Sequence, residues 1–101
     1  DQKKLTEAEE MYRRALALDD KYVSAYIGLG NVLYDQKKLT EAEEMYRRAL
    51  ALDDKYVNAY IGLGNVLYDQ KKLTEAEEMY RRALALDDKY VNAYNNLGIV
   101  L

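Results

Sequence analysis

A unit of 34 residues recurs along this chain of 101 residues, as the near-identity of residues 1–34 and 35–68 shows. These two units differ at one position only, where Ser24 stands against Asn58. The third unit, residues 69–101, repeats the second with three changes: Asn95, Asn96 and Ile99 in place of Ile61, Gly62 and Asn65. A period of this length is typical of arrays in which stacked units share one continuous core. Because no Pro- or Gly-rich linker separates the units, we predict a single domain, residues 1–101.

Each unit contains two helical patterns. In the second unit the first pattern starts at Thr40, and Glu43 follows three residues later, the spacing of a capping box. Apolar residues then recur at three- and four-residue steps: Ala42, Met45, Tyr46, Ala49, Leu50 and Leu52. Glu43–Arg47 and Glu44–Arg48 are i,i+4 pairs typical of a solvated helix face. We therefore predict an amphipathic helix with a charged outer side.

The second pattern, from about Val57 to Tyr68, carries no charged residue. Asp53-Asp54 precedes it and is predicted to cap it. At 100° per residue, the earlier copy of this helix divides into two faces. One is predicted to be buried: Ala25, Tyr26, Leu29, Val32 and Leu33. The other gathers Ser24, Gly28, Asn31 and Asp35, with Ile27 and Tyr34 beside them. Two helices in each unit predict an all-α fold of six antiparallel helices.

Composition excludes several classes of function. The chain has no Cys and no His, so a zinc site of the usual kind, a disulfide framework and a thiol or imidazole catalyst are excluded. Its net charge of -3 argues against nucleic acid, which needs clustered Lys and Arg. No apolar run reaches the ~20 residues of a membrane span, and no secretory leader is visible. We expect an intracellular location by default, and no membrane partner.

Three features that resemble catalytic motifs have simpler explanations. Gly28-Leu29-Gly30 lacks the third glycine and the preceding strand of a nucleotide-binding loop. The carboxylates of Asp53-Asp54 repeat in every unit without convergent partners, so a helix cap explains them better than acid–base catalysis. Ser24 is the only serine and has no histidine to activate it. We therefore predict that the protein is not an enzyme and needs no cofactor.

A motif of small and bulky residues runs through each unit: Tyr26-x2-Leu29-Gly30-x2-Leu33, then Ala42-x3-Tyr46 and Ala49. It resembles the tetratricopeptide repeat (TPR) pattern, which has the same period, and the resemblance covers the whole chain. The resemblance implies a right-handed α-solenoid that starts and ends within a repeat. Lys37 stands where the family often has a turn glycine. The related pentatricopeptide repeats bind RNA, but that function calls for basic units, and these are acidic.

The resemblance also implies a concave groove, lined by the first helix of each repeat, that binds an extended peptide or protein segment. Carried over to this chain, the groove residues are Ser24, Ile27, Asn31, Tyr34 and Asp35, then Asn58, Ile61, Asn65, Tyr68 and Asp69, then Asn92, Asn95, Asn96 and Ile99. Asparagine offers both a donor and an acceptor, so a row of asparagines can pair with a peptide backbone. Gly28 and Gly62 are expected to leave room for a close approach of that backbone.

Acidic chaperone tails ending in Glu-Glu-Val-Asp are well-known TPR ligands, held by a clamp of Lys, Arg and Asn. Asn31 and Asn65 match the asparagines of that clamp. Its cations are missing, because Ile27 and Asn96 stand where Lys or Arg is expected. We therefore predict little binding to such tails. A groove that is only scaffold surface, with no ligand, stays open as an alternative.

The repeats are identical even at exposed positions such as Gln36, Lys37 and Arg48. This favours a designed array of one chosen unit, or a recent gene amplification, over long independent drift. The chain also starts at the turn before a second helix and ends inside a first helix. Because these two incomplete ends are complementary, we expect head-to-tail association between copies as an alternative function.

Overall fold

The computed structural model describes residues 1–101 and contains six α-helices and no strand. The helices are α1 (Gln2–Leu18), α2 (Val23–Asp35), α3 (Leu39–Leu52), α4 (Val57–Asp69), α5 (Leu73–Leu86) and α6 (Val91–Val100). The predicted all-α fold of six helices is confirmed. The helix predicted to run from about Val57 to Tyr68 ends one residue later, at Asp69.

The charged helices α1, α3 and α5 and the largely uncharged helices α2, α4 and α6 occupy separate layers. Each helix packs against the next one along the chain, and α2, α4 and α6 also contact one another, whereas α1, α3 and α5 do not. The uncharged helices therefore form a close-packed inner layer, and the charged helices form a splayed outer layer. An array that is closer on one side curves toward that side. The concave face is therefore formed by α2, α4 and α6. The whole molecule measures 37 × 26 × 20 Å.

The core between the layers is apolar, and no polar or charged side chain is buried in it. The buried face predicted for α2 is confirmed at all five positions: Ala25, Tyr26, Leu29, Val32 and Leu33. In α3 the predicted stripe is buried only in part. Ala42, Met45, Tyr46 and Ala49 are buried, but Leu50 is half-buried and Leu52 is 43% exposed. Leu52 lies in the last turn of α3, where the neighbouring helices diverge into loops.

The turn before α3 is not built as predicted. Thr40 lies inside the helix, whose N-cap is Lys38, and no side chain caps it, so the predicted capping box is wrong. The turn is instead formed by the end of α2. Lys37 adopts a left-handed backbone with φ 64°, and the Lys38 N–H donates to the Leu33 carbonyl at 2.9 Å. This is a Schellman closure, which normally uses glycine at the left-handed position.

The predicted aspartate cap of α4 is wrong as well. The N-cap of α4 is Tyr56, which makes no side-chain capping bond. Asp53 instead accepts a hydrogen bond from the Lys55 N–H at 3.0 Å, within the turn. The hydroxyl of Tyr60 donates to the Asp54 carbonyl at 2.8 Å, which ties α4 to the turn before it. The aspartate pair therefore shapes the turn and does not supply a helix cap.

The left-handed lysines give a direct prediction. A side chain in this conformation costs roughly 1–2 kcal/mol, while glycine costs somewhat more entropy on folding than other residues. Replacing both Lys37 and Lys71 (φ 65°) by glycine is therefore expected to raise the free energy of unfolding by roughly 1 kcal/mol in total. Urea unfolding followed by circular dichroism measures this change. Gln70→Gly is the control: its φ is -83°, so glycine relieves no strain there and should destabilise the protein.

A tyrosine of each outer helix packs into the inner layer at glycines. A Cβ added to Gly30 would lie 2.8 Å from the ring of Tyr46, and one added to Gly62 would lie 2.5 Å from the same ring. Tyr46 of α3 is therefore held between α2 and α4. Tyr12 occupies the equivalent space beside Gly28. The expectation that Gly28 leaves room for a ligand backbone is wrong, because the ring of Tyr12 fills that room. At Gly62 the ring of Tyr46 fills the space of a side chain, but the residue still lines a cavity.

Candidate functional site

The inner face of α2, α4 and α6 carries all the residues predicted to line a groove. Those exposed to solvent are Ser24, Asn31, Asp35, Asn58, Tyr68, Asp69, Asn92, Asn95 and Ile99. Those half-buried are Tyr34, Asn65 and Asn96. The remaining two, Ile27 and Ile61, are only 8% and 9% exposed. Most of the predicted set is therefore accessible to a ligand from one side of the molecule.

Ile27 and Ile61 belong to the continuous apolar core. The helical wheel placed them at the border of the two faces, and the adjacent inner helix covers them. They form the floor of a cavity between α2 and α4, and they offer a ligand little surface. Their contribution to the site is mainly to hold the inner helices together.

Two cavities open between the inner helices, and a third, of about 450 Å³, adjoins the second and is lined by Tyr68, Asp69, Lys71, Leu73, Ile99 and Val100. The first, of about 210 Å³, lies between α2 and α4 and is lined by Ile27, Asn31, Tyr34, Tyr46, Asn58, Ile61, Gly62 and Asn65. The second, of about 280 Å³, lies between α4 and α6 and is lined by Tyr34, Asn65, Tyr68, Asp69, Tyr80, Asn96 and Ile99. Asn65 and Tyr34 line both cavities, so the two are neighbours along the groove. Ser24, Asn92 and Asn95 line neither.

Two asparagines of the groove are held by tyrosines of the outer helices. The hydroxyl of Tyr46 donates to Oδ1 of Asn31 at 2.5 Å, and that of Tyr80 donates to Oδ1 of Asn65 at 2.6 Å. These bonds fix the orientation of each amide, because Oδ1 is engaged inside the protein. The Nδ2 hydrogens of both asparagines donate to no other group of the protein. They are therefore available as donors for a ligand.

Sequence reasoning placed Tyr46 and Tyr80 in the core and missed their role in the groove. The sequence contains no specific signal for these contacts, because every pair of residues recurs at a constant separation in repeats that are nearly identical. Asn65 also accepts a bond from Nδ2 of Asn96 at 3.1 Å, which joins α4 to α6.

Further hydrogen bonds join residues of successive repeats. The hydroxyl of Tyr34 in α2 donates to Oδ2 of Asp69 in α4 at 2.7 Å. The hydroxyl of Tyr90, just before α6, donates to Oδ1 of Asn58 at 2.6 Å. Ser24, the counterpart of Asn58 in the first unit, makes no such bond to Tyr56. The single difference between the first two units thus removes one inter-repeat hydrogen bond.

The linings of these two cavities are uncharged except for Asp69, and Lys71 lines the third cavity beside them. Asp69 lines the second cavity, and no Lys or Arg lines either one. Burial raises the pKa of Tyr34 to about 12, and the hydrogen bond and charge of Asp69 add to the effect. Burial likewise raises the pKa of Tyr80 to about 12. The pKa of Tyr46 is also raised, by burial first and by the charge of Asp35 second. All three hydroxyls are therefore neutral donors at physiological pH.

These shifts predict a loss of stability in alkali. An unfolded tyrosine ionises near pH 10, whereas folded Tyr80 keeps its proton until about pH 12. Above pH 10 the native state therefore binds more protons than the unfolded state, and stability falls as pH rises. Each such tyrosine contributes up to about 1.4 kcal/mol per pH unit. Urea unfolding at several pH values below and above pH 10 measures how steeply the free energy of unfolding falls with pH. Tyr80→Phe should make it shallower, and an unchanged slope would contradict the assignment.

The polar groups of this face can form hydrogen bonds and charge contacts with a ligand. No three His, Cys, Asp or Glu side chains lie close enough together to hold a metal ion. None of the helices has both the length and the apolar character of a membrane-spanning segment. The face offers amide donors, tyrosine rings and hydroxyls, and carboxylates, arranged along a shallow channel.

Pairs of antiparallel helices stacked in this way form an α-solenoid of helical-hairpin repeats. The model of the tetratricopeptide repeat family matches residues 1–55 and 21–89, and the chain belongs to that family. Repeats of this family generally serve as non-enzymatic modules of protein interaction. Among curated proteins, no similar sequence is found.

Solved TPR structures resemble this one closely. The first TPR of Spaghetti (RPAP3) bound to the HSP90 peptide SRMEEVD has a TM-score of 0.94 and 28% identity, covering 98% of this chain and 79% of that one. The second TPR domain of human RPAP3, in complex with the HSP70 peptide SGPTIEEVD, has a TM-score of 0.91 and 25% identity, covering 98% and 82%. The Arabidopsis OM64 TPR domain, at 22% identity, shares the fold, with a TM-score of 0.95 over 97% of this chain and 81% of that one.

Proposed function

We propose that this protein is a non-catalytic scaffold that binds an extended peptide or protein segment along the concave face of α2, α4 and α6. The observation that carries the proposal is the fixed orientation of Asn31 and Asn65. Tyr46 and Tyr80 engage their amide oxygens, so that the amide hydrogens remain for the ligand. Peptide carbonyls are the natural acceptors for such donors, whatever the side chains of the peptide. Two similar TPR domains bind peptides in their solved structures, which supports the same use here.

Peptide-library capture tests this proposal. The decisive variant is Asn31→Ala plus Asn65→Ala, which removes the amide hydrogens without adding charge to the groove. Binding of captured peptides should fall about tenfold or more, because each lost hydrogen bond would leave a peptide carbonyl without its partner. The matched control is Ser24→Ala plus Asn92→Ala, on the same inner helices but outside both cavities. Capture that survives the first variant, or is lost in the control, would contradict the proposal.

The preferred peptide is proposed not to be an acidic tail. The peptides in the two relatives contain paired glutamates and a terminal aspartate. In this chain Asp69 lines the groove, and both cavities lack Lys and Arg. An acidic tail would therefore meet like charge without a counter-ion. Fluorescence anisotropy with SRMEEVD and its amidated counterpart SRMQQVN-amide tests this. The amidated peptide, which keeps the arginine but carries no carboxylate, should bind more tightly, and tighter binding of SRMEEVD would overturn the preference.

Self-association is a second candidate function, favoured by one observation. Tyr46 sits between Gly30 and Gly62, but Gly98 in α6 has no neighbouring atom within 4 Å. Met11 and Tyr94 are 52% and 54% exposed, although Met45 and Tyr60, their counterparts in the second unit, are buried. Docking Tyr12 of one copy against Gly98 of another would repeat the internal arrangement. Ile99 is the counterpart of Asn31, whose side-chain oxygen accepts a hydrogen bond from Tyr46. Since isoleucine cannot accept this bond, the contact between copies would be weaker than the internal one.

Sedimentation equilibrium over a range of concentrations separates the two candidates. If copies stack, the mean mass should rise with concentration, and Gly98→Ala should prevent the rise because its methyl group fills the open space. A monomer at every concentration would exclude self-association and leave peptide binding unaffected.

The near-identity of the repeats is proposed to reflect a designed array of one unit, or a recent amplification. Support comes from exposed positions such as Gln36, Lys37 and Arg48, which packing barely constrains and which are nevertheless identical between copies. The gene sequence tests this. Codons nearly identical between repeats would support amplification, uniformly optimised codons would support design, and many silent differences would contradict both.

A further inference from the structure

We propose that the cavity between α4 and α6 binds a cationic side chain, lysine or arginine, of the segment held in the groove. This inference rests on the proposed peptide-binding function and specifies the chemistry of its ligand. The cavity is called the acidic subsite below, and its lining is that of the 280 Å³ cavity described above.

The acidic subsite contains one carboxylate surrounded by tyrosines. Asp69 lines it together with Tyr34, Tyr68 and Tyr80, and no Lys or Arg does so. Tyrosine rings attract cations through the negative potential of their faces, and a carboxylate attracts them by charge. The neighbouring cavity between α2 and α4 has no charged residue in its lining. The two cavities of the groove thus differ in the side chains that they favour.

Asp69 is positioned for a ligand and forms no salt bridge in the protein; the nearest cation in the cavity linings is Lys71, which shares the adjoining third cavity with it. One of its oxygens, Oδ2, accepts a hydrogen bond from Tyr34 at 2.7 Å. Its other oxygen makes no hydrogen bond, and Asp69 takes part in no salt bridge. The glutamates of the outer helices behave differently: Glu43 and Glu44, for example, pair with Arg47 and Arg48 at 2.9 and 3.1 Å. An oriented, unpaired carboxylate among aromatic rings is a site that a cation completes.

Tyr34 and Tyr80 are not anions that would compete with Asp69 for a cation. Burial raises the pKa of Tyr34 and Tyr80 to about 12, so both remain neutral at physiological pH. Asp69 therefore supplies the only formal charge in the lining. Ile99 adds an apolar wall against which the methylene stem of lysine or arginine can pack.

The position of the acidic subsite matches the proposed peptide path. Asn65 lines both cavities, so its amide can donate to a peptide carbonyl while an adjacent side chain enters the subsite. The volume of about 280 Å³ is below the usual range for whole small-molecule ligands and suits a single side chain. A glutamate at the same place would meet the charge of Asp69 instead.

The test uses three single-residue probes: Nα-acetyl-lysine amide, its norleucine analogue of similar shape, and its glutamate analogue. Binding is followed by chemical-shift changes in ¹⁵N-labelled protein. The lysine probe should shift the amides of Asp69 and Ile99 and bind about fivefold more tightly than either analogue, the size expected for a partly exposed charge contact. Added salt should weaken it. Equal binding of lysine and norleucine, or shifts confined to other regions, would overturn the proposal.

Variants make the assignment specific. Asp69→Asn keeps an acceptor for Tyr34, so the fold should persist, while the preference for lysine over norleucine should vanish. Glu44→Gln makes the same change of charge on the outer face and should leave the preference intact. Tyr68→Phe should retain lysine binding and Tyr68→Leu should weaken it, because phenylalanine keeps an aromatic face. A lysine preference that persists in Asp69→Asn would refute the role of the carboxylate.

This test is separable from that of the groove itself. Suppose that wild type and Asp69→Asn both capture peptides that contain neither lysine nor arginine. In that case the groove binds peptides and the acidic subsite is wrong. If the lysine probe binds at Asp69 and no peptide is captured, the subsite exists and the peptide-binding function is wrong.

Discussion

Replacing Tyr46 by alanine is expected to lower the free energy of unfolding by about 3–5 kcal/mol. The side chain is 2% exposed, and its ring lies against Gly30 of α2 and Gly62 of α4. Its removal leaves a cavity at the junction of two repeats and also deprives Asn31 of its donor. A domain of this size has a total stability of about 5–15 kcal/mol, so the variant should be close to unfolding at moderate temperature. Urea and thermal unfolding followed by circular dichroism measure the effect.

Tyr12→Ala is the matched control for this prediction. Tyr12 is the equivalent residue of α1, but it is half-buried and lies against Gly28. Since less of its surface is buried, the loss should be roughly 1–2 kcal/mol. Equal losses for the two variants would mean that contact with two successive inner helices is not what makes Tyr46 important.

The second large effect concerns glycines at one repeat position. Gly64→Ala is expected to destabilise the protein by about 1–3 kcal/mol, because the new methyl group would lie 2.5 Å from the ring of Tyr80. That ring is 2% exposed and cannot move aside without disturbing the core. Gly98→Ala, at the equivalent position in α6, meets nothing within 4 Å. It should stabilise the protein by about 0.5–1 kcal/mol, the usual helical gain of alanine over glycine.

Opposite signs for the same substitution at equivalent positions would be hard to explain by helix propensity, which is the same at both. Equilibrium unfolding of the two variants, with the wild type alongside, is sufficient to test the pair. If both substitutions stabilise, the tyrosine rings do not occupy the positions described here.

The sequence predicts the helices and their buried faces because both follow from local periodicity. The bounds of α4 and the burial of Leu29 and Leu33 depend on which residues recur at helical spacing, and a 34-residue repeat presents that spacing in each unit. The inner-layer position of the uncharged helix also follows, through the family resemblance. These features need no knowledge of how the repeats are tilted relative to each other.

Features that depend on contacts between repeats were predicted less well. A helical wheel puts Ile27 at the edge of the groove face, but the adjacent inner helix buries it. The wheel also leaves Gly28 open, whereas Tyr12 of another helix fills the space. The resemblance puts a turn at Lys37, but the sequence does not show that lysine itself adopts the left-handed backbone there, and Thr40 offers a more familiar signal that the structure does not use. In each case the deciding partner lies on a different helix.

The few differences between repeats all fall on the inner helices. Ser24 differs from Asn58 in α2 and α4, and the three changes of the third unit lie in α6. Two of these changes, Asn96 and Ile99, line the acidic subsite. The outer helices and turns are constant, so the frame is the same throughout, while the inner face varies along its length and loses one core residue where Asn95 replaces the counterpart of Ile61. This pattern is what a binding surface built on a repeated frame requires.

The most direct test of the account is the location of a bound peptide. A peptide captured from the library is titrated into ¹⁵N-labelled protein, and the shifts of backbone amides and asparagine side-chain amides are mapped onto the structure. The account predicts that the largest shifts come from α2, α4 and α6, including the side-chain amides of Asn31 and Asn65. Shifts concentrated on the outer helices, around Glu44 and Arg48 for example, would contradict it.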